Sequence, residues 1–181
     1  DIYQSVPLTA DLSSLSANQK QMLGLLIDAS KIMDDLFWQQ AYGSDKAQFL
    51  ARIAGDDVQK FAAINYGPWD RLNGDKPFLT NTKEKPLGAQ FYPQDMTKDE
   101  FEQSQFADKT GLYSMVVRNE DGSLSSVPYA EYFSEPLQKA AALLNKAATL
   151  ADDAEFAHYL NLRAKALLSN EYQASDFAWM D

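Results

Sequence analysis

Ser134-Glu-Pro-Leu-Gln-Lys-Ala-Ala-Ala-Leu-Leu-Asn-Lys-Ala-Ala148 is followed, across Asp152 and Asp153, by Ala154-Glu-Phe-Ala-His-Tyr-Leu-Asn-Leu-Arg-Ala-Lys-Ala-Leu-Leu-Ser169, and this pair of runs decides the fold class. Pro136 falls in the first turn opened by Ser134, where a missing N–H is tolerated. Leu137, Ala140, Ala141, Leu144, Ala147, Ala148 and Ala151 recur at the three- and four-residue intervals of an amphipathic helix. The second run, about 153–169, repeats the period with Phe156, Leu160, Ala164 and Leu167, and Asp152 stands where a cap is needed, with Glu155 three residues on. Alanines on the facing side permit close approach, so 134–170 is expected to form an antiparallel αα-hairpin.

The same period extends upstream. Ser16 and Gln19 have the spacing of a capping box, and Met22, Leu25, Leu26, Ala29, Ile32, Met33, Leu36 and Phe37 follow at helical intervals until Gly43. Shorter helices are expected at about 45–54 and 57–65. Thr97 and Glu100 suggest a second capping box, for a helix through Phe101 and Phe106. Leu112 to Arg118 then turns to β-forming residues, Asn119-Glu-Asp-Gly122 is a turn signal, and Leu124 to Val127 can return as the partner strand. No period of 20–50 residues repeats. The expectation is a single mostly α domain over 1–181, α+β at most, with a C-terminal αα-hairpin, one small antiparallel β-hairpin and a long ordered loop.

That loop, 65–95, carries Tyr66, Trp69, Asp70, Arg71, Phe91 and Tyr92 among prolines and glycines without helical or strand periodicity. Fixing it costs about 1–2 kcal/mol per residue, which packing or binding must offset. Composition favours core or interface packing over ligand contact for its aromatic residues. Asp70-Arg-Leu-Asn-Gly-Asp75 has oxygen-bearing residues, but the alternation of a calcium loop is broken, and Asp70 beside Arg71 reads as a side-chain lock on loop backbone. Asp34 and Asp35 point about 100° apart on a helix and read as a solvated face with no shared site.

The net charge of −10 argues against nucleic acid and anionic membrane surfaces as partners. One histidine and no cysteine leave too few ligands for a zinc site, and exclude a cysteine nucleophile. A serine triad would have to use His158, which lies in a helical run, and no Gly-x-Ser-x-Gly turn exposes a serine. No catalytic residue and no metal ligand is expected within the chain. No apolar run approaches the roughly 18 residues of a membrane span. A start at Asp1 without methionine, and an end on Trp179 and Met180, suggest a piece of a longer polypeptide, with an exported, envelope or periplasmic parent favoured over a cytoplasmic one.

Four strings in order, Ile32-Met-Asp-Asp-Leu-Phe-Trp38, Ile64-Asn-Tyr-Gly-Pro-Trp-Asp-Arg-Leu72, Lys85-Pro-Leu-Gly-Ala-Gln-Phe-Tyr-Pro93 and Tyr172-Gln-Ala-Ser-Asp-Phe-Ala-Trp-Met180, resemble the N-terminal part of bacterial zinc hydrolases related to dipeptidyl peptidase III. The resemblance implies a two-lobed metallopeptidase whose zinc is held by a His-Glu-x-x-His motif, or its one-residue-longer variant, and a later carboxylate. None of those residues is present, so zinc is implied for the parent enzyme and not for this chain. The chain would then be the non-catalytic region forming a cleft wall or scaffold. Its partners would be the C-terminal zinc-bearing lobe and a peptide-like substrate, met by Tyr66, Trp69, Asp70, Arg71, Phe91, Tyr92, Asp176 and Trp179. Two other readings are a stand-alone helical interaction module and an aromatic-lined peptide- or sugar-binding domain. The encoding gene beyond Asp181 separates them, because a zinc motif selects the first reading and a stop codon eliminates it.

Overall fold

The computed structural model describes residues 4–180. In chain order the elements are α1 (Ala17–Ala41), α2 (Lys46–Ala51), α3 (Asp56–Asn65), β1 (Trp69–Asp70), β2 (Lys76–Pro77), α4 (Lys98–Gln103), β3 (Ser114–Arg118), β4 (Leu124–Pro128), α5 (Tyr129–Tyr132), α6 (Ser134–Ala148), α7 (Ala154–Ser169) and α8 (Gln173–Met180). The class is mostly α, as expected, and the strands among the described residues form two antiparallel pairs. Among the described residues no helix is long and apolar enough to cross a membrane.

Helix α1 begins with both bonds of the expected capping box, Gln19 N–H to Ser16 Oγ at 3.1 Å and Ser16 N–H to Gln19 Oε1 at 2.9 Å. It ends where Gly43, at φ 143°, donates its N–H back to the Trp38 carbonyl at 3.1 Å. The αα-hairpin is present as α6 and α7, and α1 packs along α6. Three apolar clusters result. The first joins Leu36 to Met115, Phe133, Leu137, Ala140 and Leu167, so the β3–β4 pair sits on the helices. A second gathers Met22, Leu25 and Leu26 of α1 against Ala147, Ala148 and Leu160. The far end of α1 supplies Trp38 to a third, with Phe49 and Ala62. One helix therefore covers the hairpin and also carries the support for the loop.

Several expectations need correction. Asp153 rather than Asp152 caps α7, because the helix starts one residue later than the spacing suggested, and Asp153 Oδ1 accepts from Glu155 N–H at 2.8 Å and Phe156 N–H at 2.9 Å. Thr97 caps α4, but the box is half made: the Glu100 carboxylate turns away to take Arg118 in a fork, at 2.7 and 3.1 Å. That guanidinium holds the Glu100 carboxyl below the usual range. Helix α4 stops at Gln103, because Ser104 is extended, and leaves Phe106 outside. On α1 the buried ring is Trp38, 2% exposed, while Phe37 is 39% exposed. Among the described residues there are two small hairpins rather than one, the extra pair β1–β2 lying inside the loop. The chain after Tyr172 forms a further helix, α8.

Candidate functional site

The loop is built from the end of α3 outward. Asn65 is buried; its amide donates to the Phe61 carbonyl at 2.9 Å and its Oδ1 accepts the Arg71 N–H at 3.0 Å, tying the helix end to the loop. Tyr66 caps the helix in the left-handed region, φ 53° and ψ 45°, a conformation unfavourable to a residue with a Cβ by about 1–2 kcal/mol. Its ring offsets this by packing edge-on to Phe37 at 4.7 Å and against Trp38 at 5.3 Å. Gly67 follows at φ 142°, where a Cβ would stand 3.0 Å from the Trp69 ring. That ring is 8% exposed, and its indole N–H donates to the Lys83 carbonyl at 2.9 Å. Asp70 is buried and is the lock expected of it: Oδ1 accepts the Leu72 N–H at 3.0 Å, and its carbonyl accepts Asn73 and Asp75 N–H at 3.0 and 2.9 Å.

Asp34 and Asp35 do share a partner, which corrects the solvated-face reading. Lys46, reaching over from α2, donates to Asp34 Oδ2 at 3.2 Å and Asp35 Oδ1 at 2.6 Å. Tyr66 donates its hydroxyl to Asp34 Oδ1 at 2.6 Å. The 100° offset between neighbours is bridged because a lysine side chain is long enough to span both. The Arg71 guanidinium lies 5.9 Å from the Tyr66 ring, so Tyr66, Trp69, Asp70 and Arg71 form one connected unit on the end of α1.

Phe91 and Tyr92 form a second unit. Phe91 stands between two concavities. One, about 650 Å³, runs between Gly74–Pro77 and Glu84–Ala89, with Lys85 Nζ on Asp75 Oδ1 at 3.0 Å at its edge. The other, about 460 Å³, is walled by Phe91, Tyr92, Phe101 and Tyr129 with Lys109 at its side. Gly88, at φ 75°, has no room for a Cβ against the Tyr92 ring, so glycine there sets that ring's position. Asp176 and Trp179 belong to a third unit on α8, where Asp176 accepts from Arg163 Nη2 at 2.6 Å and Trp179, 66% exposed, rests its ring 5.1 Å from Tyr159. The structure thus separates the eight candidate residues into three units. Trp69 does not belong to an exposed apolar patch, because its own loop folds over it.

Lys46 and Asn65, which hold the first unit together, and Tyr129 and Phe101, which wall the second concavity, were not among the candidates. Helical spacing carried no signal for them, since their partners come from other elements. Among the described residues no three His, Asp or Glu side chains are grouped so as to hold a metal ion. His158 is exposed on α7.

Four tyrosines share one electrostatic direction. The hydroxyl of Tyr66 is raised above its ordinary 10.0, first by its bond to Asp34, and Tyr42, Tyr129 and Tyr172 are raised chiefly by burial. A phenol whose folded pKa exceeds its unfolded one contributes stability that is complete below about pH 10 and is lost as pH rises through the folded value. Melting temperature is therefore expected to fall steeply above pH 10, with phenolate absorbance appearing together with unfolding. Full phenolate formation without loss of helical signal would contradict it.

Two solved structures are similar to this chain. One is the dipeptidyl-peptidase III of Caldithrix abyssi, 39% identical with a TM-score of 0.85 over 95% of this chain and 34% of that one. The other is the dipeptidyl-peptidase III of Corallococcus sp. strain EGB, 34% identical with a TM-score of 0.89 over 97% of this chain and 35% of that one. The chain is similar to part of a bacterial dipeptidyl-peptidase III. The relationship read from the four strings is borne out, and it extends to the arrangement of the helices. A curated relative, Nudix hydrolase 3 of Arabidopsis thaliana, is 31% identical over 99% of this chain and 31% of its own length. The chain spans about a third of the length of each of these proteins. No protein-family model matches it.

Proposed function

We propose that this chain is the metal-free, mostly helical region of a zinc-dependent hydrolase of the dipeptidyl-peptidase III kind, in which it forms one wall of the peptide-binding cleft and a scaffold for the zinc-bearing lobe. One observation carries this reading: identity of 39% and a TM-score of 0.85 over 95% of the chain, against a third of a dipeptidyl-peptidase III. The residues present do not fit a zinc ion. The single imidazole is exposed on α7, there is no thiolate, and among the described residues no three His, Asp or Glu side chains are grouped to hold a metal ion. The metal and the general base then belong to the rest of the parent enzyme, and no chemical step is assigned to this chain.

What its residues do is bind and position. Phe91 and Tyr92 supply rings at the two concavities, with apolar area and little rotamer freedom to lose. Trp69, Asp70, Tyr66 and Arg71 act one step back by fixing the loop that shapes the first concavity, and Asp176 and Trp179 on α8 lie toward the zinc-bearing lobe.

The test pairs this chain with the longer polypeptide. After dialysis the isolated chain is expected to retain no stoichiometric zinc and to hydrolyse no dipeptidyl substrate, while the longer polypeptide does both. Phe91→Ala in the longer polypeptide is expected to raise KM about tenfold with little change in kcat, the signature of binding lost equally from the ground state and the transition state. One tightly held zinc per isolated chain, or an unchanged KM, would overturn the reading.

A further inference from the structure

Where α7 hands over to α8, Tyr113, Glu171, Tyr172, Asp176, Phe177 and Met180 line a cavity of about 310 Å³, and of these only Asp176 has a role in the cleft-wall reading. The Tyr113 and Tyr172 rings pack at 4.6 Å with 32° between their planes, and Tyr113 is 41% exposed. The two carboxylates are not equivalent. Asp176 is neutralised by Arg163, whose guanidinium lies between the rings of Tyr159 and Tyr172 at 5.6 and 5.4 Å. Glu171, among the described residues, has no side-chain partner.

Among the described residues the lining therefore presents one uncompensated negative charge, an aromatic ring with a face not covered by another ring, and an apolar wall of Phe177 and Met180, both exposed. An anion is disfavoured by Glu171 and by the net charge of −10. A divalent metal would find a single free carboxylate where it needs several oxygens. A neutral apolar group would cover Glu171 without pairing it, which is unfavourable. A long alkyl stem ending in an ammonium satisfies all three features at once. The stem lies on the apolar wall, and the head sits between the carboxylate and the ring face, as Arg163 already does with its own acid and rings next door.

We propose that this cavity is a docking pocket for the lysine side chain of a partner polypeptide, with its stem along Phe177 and Met180 and its ammonium between Glu171 and the Tyr113 ring. The proposal does not depend on the parent being a peptidase.

The 181-residue chain would be titrated with N-acetyl-lysine methylamide and with its neutral norleucine counterpart, following backbone and side-chain NMR shifts at Tyr113, Glu171 and Phe177. Saturable binding about three- to tenfold tighter for the lysine probe is expected. Glu171→Gln and Tyr113→Leu should each erase that preference, with circular dichroism melts confirming an intact fold. Glu171 is an exposed side chain, so its variant remains informative even where Tyr113→Leu disturbs packing. Equal binding of the two probes, a lysine preference that survives Glu171→Gln, or shifts that do not saturate would each overturn the proposal.

Discussion

Trp38→Ala is expected to destabilise the fold by about 3–5 kcal/mol, the range for removing a fully buried large aromatic side chain. The indole is 2% exposed and is held by rings on three sides: Tyr42 at 6.3 Å, Phe49 at 6.3 Å and Tyr66 at 5.3 Å, with the Lys46 ammonium 5.3 Å from its centroid. These neighbours come from α1, α2 and the end of α3, so no single backbone shift can close the space an alanine would leave. The consequence reaches the loop, because Tyr66 holds its left-handed cap conformation by packing on this ring. Urea unfolding would give the loss, and hydrogen exchange should rise over 65–95 before it rises in α6 and α7. Phe37→Ala, one residue earlier on the exposed side, is expected to lose only about 1 kcal/mol. Equal losses at the two positions would mean that Trp38 is not what supports the loop.

The contrast between these neighbours shows where sequence reading reaches its limit. Leu36 lies on the helical stripe that faces α6, Phe37 shares the expected period but is exposed, and Trp38 falls off it, because α1 is asked to bury two different faces along its length. A period detects one face. The αα-hairpin was legible because α6 and α7 each bury one face against a sequence neighbour, and the pairing of β3 with β4 followed from the turn signal Asn119-Glu-Asp-Gly122 between two β-forming runs. Asp70 was legible as a lock because an aspartate reaching the N–H two residues on is local chemistry.

Lys46 with Asp34 and Asp35, Asn65 with Arg71, and Glu100 with Arg118 were not legible. Each pair spans six or more residues and depends on where helices land, so nothing in local spacing encodes it. Glu100 makes the point sharply: the capping-box spacing was correct, but a guanidinium from β3 offered a stronger, forked partner than a backbone N–H. The four family strings succeeded for the opposite reason, because a resemblance carries tertiary information that periodicity lacks. It led to a relationship that the fold bears out, while the roles of Tyr66, Trp69, Asp70, Arg71, Phe91, Tyr92, Asp176 and Trp179 in binding stay with the proposal.

Leu160→Ala is expected to remove about 2–5 kcal/mol. Leu160 is 2% exposed and sits in a cluster whose nearest buried members are Ala147 and Ala148 of α6, with Met22, Leu25 and Leu26 of α1 around them. Alanines have no rotamers with which to refill a void, and the helix approach they permit is already close, so the cavity should persist and the loss should lie in the upper half of that range. Leu144, on the α6 side of the same cluster but only half-buried, should lose less, about 1–2 kcal/mol, because part of its surface is wet before the change. Leu160→Met, which keeps the volume, should stay within about 1.5 kcal/mol of the parent. Denaturant midpoints at constant slope would rank the three. If Leu144→Ala proved the more damaging, the α1, α6 and α7 packing would be centred nearer the β3–β4 end than this cluster places it, and α1 would not be the helix that closes the hairpin.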